Sequence, residues 1–274
     1  MVSEDSLSLP KITIVTPSFN QSRYLEATIR SVLLQGYPNL EFILIDGGSI
    51  DGSVEVIQKY DAWITYWHSQ PDHGQSDAIN QGFARATGDI LGWLNSDDIL
   101  AKGALFHLAA AYQPGLYWWT GGASCIHLDS APSSFDPAKV QSVSRQELLH
   151  ARLIVDQVAT FWTREIWVAT GAQIAPLDLA MDYELWLRFA KVSSAIPIQK
   201  VLGILRKHEA AKTGTSYGYK AYLEECDQVR QQTYQQQQLN FWQRRLLITF
   251  WTRHALARRL GWRSWVGRRP IPYV

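Results

Sequence analysis

Short β-branched runs alternate with amphipathic helical stretches through the first 112 residues, and that alternation limits the chain to few folds. Residues 11–16, Lys-Ile-Thr-Ile-Val-Thr, read as a buried strand that Pro17 stops. Residues 22–34 then place Leu25, Ile29, Val32 and Leu33 at helical spacing. A second strand at 40–45 closes on Asp46-Gly47-Gly48, and a helix opens at Asp51-Gly52-Ser53. Residues 62–67 and 89–94 read as the third and fourth strands, 76–86 and 102–111 as helices. Repeated β-α-β units imply an α/β fold with a mostly parallel sheet, and right-handed crossovers put these strand ends on one edge. Ligands of open α/β sheets bind beyond that edge. Asp46, Asp77 and the pair Asp97-Asp98 are therefore expected to converge there, although they lie far apart in sequence.

The second half is less regular. Residues 116–127 read as a strand bent at Gly121-Gly122, 131–137 as a Pro/Ser loop, and 158–163 as a short apolar run. Residues 182–192 are helical with Leu185, Trp186 and Phe189 inward, and 195–205 are strand-like around Pro197. A polar helix at 217–238 ends in glutamines, and a last helix at 241–260 precedes a Trp/Arg/Pro tail.

Composition separates the two ends of the chain. A hydrophobic content of 46% with 19% charged residues describes a globular protein with a sizeable core. The net charge of +1 conceals an asymmetry. From Gln228 onward there is no Asp or Glu but nine arginines, whereas residues 1–227 hold 17 Lys and Arg against 25 Asp and Glu. An acidic body joined to a basic tail suggests a surface that meets anions. Cys125 and Cys226 have no CxxC partner, which argues against a disulfide framework or a zinc site and fits a reducing compartment. The polar, acidic start lacks the pattern of a secretory signal, and no apolar run is long enough to span a bilayer.

Several acids ask for an explanation. Asp97 and Asp98 stand side by side at the tip of an apolar strand, where like charges repel and resist desolvation. Either they lie in water as a plain turn or a cation sits between them. Asp46 before two glycines suits a turn, and Asp77 suits the first turn of a helix. Asp182 and Glu184 open a helix in which Arg188 can pair with Glu184 one turn on.

Three segments, "TPSFNQSRYLEATIRSVLLQGYPNLEFILIDGGSIDGS", "GQSDAINQGFARATGDILGWLNSDD" and "MDYELWLRFA", resemble in order the motifs of family 2 glycosyltransferases. The resemblance covers roughly the first 210 residues and is specific as an ordered set. It implies the GT-A fold, inverting transfer from a UDP- or dTDP-sugar, and a divalent cation, Mn2+ or Mg2+. It divides a catalytic domain at 1–215 into a nucleotide half, 10–112, and an acceptor half, 113–215, followed by a helical basic tail at 216–274. By the resemblance, Asp46 accepts the N–H of the base, and Thr16, Pro17, Ser18, Asn20 and Gly48 line the same pocket. Asp77 lies near the ribose or base, and Asn95, Ser96 and Asp97 follow the donor. Asp97, Asp98 and His208 are the implied metal ligands, in keeping with the oxygen and imidazole ligands such ions take. Asp182 matches the base that takes the acceptor hydroxyl proton, with Glu184 in reserve. Gln157, Phe161 and Trp162 resemble a segment beside the sugar. Asn95 departs from the pattern, since many members carry an acid there.

The acceptor implied is a glycan or lipid-linked glycan at the inner face of a membrane, which makes the protein cytoplasmic or peripheral. Tryptophans interleaved with arginines in the tail suit an anionic membrane surface, although a helix packed on the acidic body explains them too. No motif points to nucleic acid. A sugar-phosphate nucleotidyltransferase would need a glycine-rich loop with a basic residue after the first strand, where this chain has Pro17-Ser18-Phe19-Asn20. A non-catalytic glycan- or nucleotide-binding module is the other alternative, and the retained base and metal pair argue against it.

Overall fold

All seven residues of β1 (Ile12–Ser18) are buried, which explains why this run shows no polar alternation: both faces of a central parallel strand are covered. The computed structural model describes residues 9–127, 133, 135–149 and 155–236. After β1 come α1 (Ser22–Leu33), β2 (Leu40–Asp46), α2 (Ser53–Lys59), β3 (Tyr66–Ser69), α3 (Gln75–Phe83) and β4 (Ile90–Trp93). The third strand starts later than its sequence suggests, because Asp61–Trp63 forms a 3-10 turn instead. A two-residue strand, β5 (Ile99–Leu100), and α4 (Ala104–Ala111) follow. The second half contributes β6 (Trp118–His127), α5 (Arg145–Leu149), β7 (Thr160–Thr163), α6 (Arg164–Ala169), α7 (Met181–Phe189), β8 (Ile196–Lys207) and α8 (Ser216–Gln236).

The eight strands form one sheet in the order β3-β2-β1-β4-β7-β6-β8-β5. The β1–β2, β1–β4, β2–β3 and β6–β8 pairs are parallel, and the β4–β7, β6–β7 and β5–β8 pairs are antiparallel. Successive strands β4 and β5 sit four places apart in this order, joined only by the turn at 94–98. That short link forces the sheet to curl, and it delivers the turn carrying Asp97 and Asp98 to the middle of the curl.

A tryptophan stack fixes α7 to the sheet. Trp186 of α7 lies parallel to Trp93 of β4, with ring centroids 6.0 Å apart, and to Trp118 of β6, at 5.6 Å. All three are buried. Trp93 is two residues before Asn95, and Trp186 is one helical turn after Asp182. Truncating one such ring costs roughly 3–5 kcal/mol, so the stack fixes α7, and Asp182 with it, against β4 and β6.

Two compact units divide between Cys226 and Asp227, past the boundary at 215 expected from the sequence. The first half of α8 therefore belongs to the unit that holds the sheet. Of the second unit only the C-terminal part of α8 is described, and there Arg230 pairs with Asp227. The helix expected at 241–260 and most of the basic tail lie outside the described residues, as does much of the loop at 131–137.

Candidate active site

The tips of β1 and β2 are in register, Ser18 against Asp46, and Gly47 N–H donates to the Ser18 carbonyl at 2.8 Å. Thr16, Pro17 and Ser18 are buried there, and the Thr16 and Ser18 hydroxyls find no partner among the described residues. Buried hydroxyls at a strand tip without a partner suit a polar ligand. Asn20 ties the two loops together. Its backbone, at φ 52°, donates to Ser49 Oγ at 2.7 Å, and its Oδ1 accepts from Ile50 N–H at 3.1 Å.

Asp46 is fully buried. Its Oδ2 accepts from Ser49 N–H at 2.8 Å, Gly48 N–H at 3.2 Å and Ser69 Oγ at 2.6 Å, and its Oδ1 accepts from Ser49 Oγ at 2.6 Å. The family resemblance casts this carboxylate as the acceptor of a base N–H. In the structure it organises the loop after β2 and the tip of β3. Gly48 is required in that loop: its φ is +84°, and a Cβ would stand 3.1 Å from the Pro71 nitrogen. Asp77 likewise acts locally, accepting from His73 N–H and Gln81 Nε2 at 3.1 Å each in the first turn of α3.

The turn after β4 is held from three sides. Thr28 Oγ1 of α1 donates to the Ser96 and Asp98 carbonyls, both at 2.8 Å. The Arg206 guanidinium of β8 reaches the Asp97 carbonyl, the Tyr24 carbonyl at 2.9 Å and Thr28 Oγ1 at 2.7 Å. Asn95 is the meeting point of an amide chain. Its Oδ1 accepts from Gln75 Nε2 at 2.8 Å, and its Nδ2 donates to Gln157 Oε1 at 3.3 Å and to Asp98 Oδ2 at 3.4 Å. Gln157 in turn donates to the Trp93 carbonyl at 2.7 Å.

Of the three expected metal ligands, Asp97 and His208 come together, with His208 Nε2 3.1 Å from Asp97 Oδ2. The imidazole is buried and stacked on Tyr24 at 4.2 Å, which fixes its plane. Asp98 is turned inward, where its Oδ1 accepts from Arg206 N–H at 3.1 Å. Burial first, and then the Asp97 charge, push the Asp98 carboxyl well above its ordinary range. No group of three or more His, Cys, Asp or Glu is gathered as for a metal among the described residues. The donors nonetheless fit a divalent cation: a carboxylate and an imidazole face each other, with a second, buried carboxyl behind them.

Asp182 lies in the first turn of α7, part-buried, accepting from Tyr183 N–H at 2.6 Å. Burial pushes its carboxyl up to about 7, with the Asp156 and Glu225 charges adding to the rise and backbone hydrogen bonds opposing it. A carboxylate in that range is matched to general-base work near neutral pH. Glu184 is taken by Arg188 in a 2.8 Å ion pair, the pairing its spacing predicts. Phe161 and Trp162 are core, leaving Gln157 as the polar member of that segment.

Arg206, Thr28, Gln75 and Glu225 carry much of this arrangement, and sequence reasoning passed over them. The alternation Arg206-x-His208 at the end of a strand held a signal for the first. Thr28 and Gln75 lie inside the quoted motifs without a role marked for them, and Glu225 lies outside them, because each acts across a long gap in the chain.

A family model described as Glycosyl transferase family 2 matches residues 13–117. An uncharacterised glycosyltransferase of Mycobacterium tuberculosis (strain H37Rv) is 32% identical over 204 residues, covering 71% of this chain and 74% of that protein. A putative teichuronic acid biosynthesis glycosyltransferase of Bacillus subtilis, TuaG, is 35% identical over 99 residues, covering 35% of this chain and 39% of that one. Among solved structures, S. aureus TarS 1-349 in complex with UDP-GlcNAc matches with a TM-score of 0.56 at 14% identity, over 76% of this chain and 61% of that one. Mannosyltransferase PcManGT from Pyrobaculum calidifontis, in complex with GDP-Man and Mn2+, matches with a TM-score of 0.57 at 15% identity, over 96% of this chain and 84% of that one. This chain thus spans less than two thirds of TarS 1-349, and at such identities the likeness speaks for the fold, which is GT-A. Taken with the family model and the extent of the mycobacterial match, it follows that the chain belongs to glycosyltransferase family 2.

Proposed function

We propose that the chain is an inverting, divalent-metal-dependent glycosyltransferase. It moves a sugar from a UDP- or dTDP-sugar to a hydroxyl of a surface polysaccharide or lipid-linked glycan, working on the cytoplasmic side of a membrane. The observation that carries this reading is the Asp182 carboxyl, part-buried at the start of α7, pushed up to about 7 and tied to the strand tips through the tryptophan stack. Asp182 takes the proton of the acceptor hydroxyl as its oxygen attacks the anomeric carbon from the face opposite the diphosphate, and that one displacement inverts the centre. Thr16 and Ser18 offer their hydroxyls to the nucleotide, and the loop organised by Asp46 shapes the pocket. Asp97 and His208 would hold the cation, with Asp98 anchoring the turn beneath them. Bound there, Mn2+ or Mg2+ supplies charge neutralisation for the departing diphosphate. The teichuronic acid assignment of TuaG supports an acceptor of the surface-polysaccharide class.

The test is Asp182→Asn. Transfer should fall by at least about 10²-fold, while UDP binding measured by calorimetry stays near the wild-type value. In the unsubstituted protein, turnover should rise with pH through about 7, because the base works only when deprotonated. Full turnover by the Asn variant removes Asp182 from the mechanism.

A further inference from the structure

The segment 178–180 leads into α7, and a carboxylate from elsewhere in the chain gathers its backbone donors. Glu225 of α8 accepts from Leu179 N–H at 2.7 Å and Ala180 N–H at 2.6 Å on Oε2, and from Asp178 N–H at 3.3 Å on Oε1. The N-cap of α7, Ala180, has no side chain able to cap a helix. Toward the N-cap N–H of Ala180, Glu225 therefore does from 45 residues away what the Glu of a local capping box does in other helices. The opposite flank of the segment is tied as well, since Lys212 Nζ donates to the Asp178 carbonyl at 3.0 Å and Ser76 Oγ to the Leu177 carbonyl at 3.0 Å.

We propose that Glu225 is a positioning residue for Asp182: by clamping the N–H groups of 178–180 it fixes where α7 begins, and so where the candidate base stands. The proposal rests on the reading of Asp182 as the base. It assigns α8 a part in catalysis that neither the family motifs nor the tail composition suggests. Three groups bear on Asp182 electrostatically from the elements packed around it. These are Asp156 before β7, and Glu225 and Tyr222 on α8. Glu225 thus places the base and, after burial and Asp156, adds to its field, since a further negative charge nearby makes the Asp182 proton harder to lose.

The experiment uses the full chain. The carboxyl carbon of Asp182, assigned by the signal that disappears in Asp182→Asn, is titrated by 13C NMR in wild type and in Glu225→Gln. The amide oxygen of Gln can still accept from Leu179 and Ala180, so the loop is kept while the charge goes. The Asp182 midpoint should move to lower pH by roughly half a unit or more. Glu225→Ala removes the clamp. Its kcat for UDP release from the UDP-hexose turned over by wild type should fall on the order of 10-fold or more, with KM for that donor unchanged. An Ala variant with full kcat overturns the proposal, and an unmoved midpoint in the Gln variant strikes the electrostatic part of it. If the Ala variant fails to bind UDP and so has not folded, Glu225→Asp, which keeps the charge but draws the carboxylate back from 178–180, takes its place, and full kcat there overturns the proposal. Full turnover by Asp182→Asn defeats the base reading but leaves the measured coupling of Glu225 to Asp182 intact, so the two failures can be told apart.

Discussion

Asn95 shows how much one amide can decide. It donates toward Asp98 and Gln157 and accepts from Gln75, which only a group with both capacities can do. A carboxylate in its place, as many members of the family have, would face Asp98 and the Gln157 carbonyl oxygen with no proton to offer either. It would also add charge beside a carboxyl that burial and Asp97 already push well up. Asn95→Asp should therefore lower stability by roughly 1–3 kcal/mol without metal, read as a fall in Tm, and added Mn2+ should recover part of the loss because the site has gained negative charge. An Asp variant with unchanged Tm would mean that the amide chain carries no weight. The sequence singled out Asn95 as a departure from the family pattern. Its partners stayed hidden, since Gln75 and Gln157 lie 20 and 62 residues away and meet it only through the fold.

At the scale of elements, legibility followed length and burial. β1, β2 and β4 could be read because a strand covered on both faces is a continuous apolar run. β5, with two residues, and α5, with five, give no period to detect, and both depend on neighbours for their existence. Carboxylates at strand tips were legible as acids with a purpose but not as to which purpose. Asp46 is enclosed by its own loop, whereas Asp97 is left facing His208. Glu41 repeats the first pattern at the other end of the sheet. Burial alone would raise its carboxyl. Thr13 Oγ1 at 2.6 Å, Thr87 N–H at 2.6 Å, Thr87 Oγ1 at 2.5 Å and Lys11 Nζ at 2.9 Å more than offset this and bring it down to about 2. Its folded pKa lies below the ordinary value of 4.5, so the stabilisation is present above pH 4.5 and is lost as pH falls toward 2. The shift corresponds to roughly 3 kcal/mol. Urea unfolding at pH 6 and pH 3 should show wild type losing much of that amount on acidification. Glu41→Gln should start less stable and lose correspondingly less, and parallel losses in the two proteins would refute the assignment.

At the scale of the whole molecule, charge is divided as clearly as structure. Residues 1–227 carry the excess of acids, and eight of the nine arginines beyond them fall in 237–274. Among the described residues no helix is long and apolar enough to cross a membrane. On the function proposed above, holding a donor and meeting a surface-bound acceptor would fall to separable stretches. Glu225 sits in the unit that holds the sheet, whose border falls inside α8, between Cys226 and Asp227. A chain ending at 236 should fold and bind UDP as the full chain does. One ending at 215 loses the clamp on 178–180 and should lose UDP turnover even where UDP is still bound. Co-sedimentation with phosphatidylglycerol vesicles separates the tail from the body. Each basic residue near an anionic surface contributes about 1 kcal/mol, and that attraction fades within a Debye length. The full chain should therefore sediment with these vesicles at low salt, release as salt rises, and ignore neutral vesicles. The 1–236 chain should stay in solution throughout. Equal sedimentation of both chains would assign membrane contact to the body and leave the arginines to another partner.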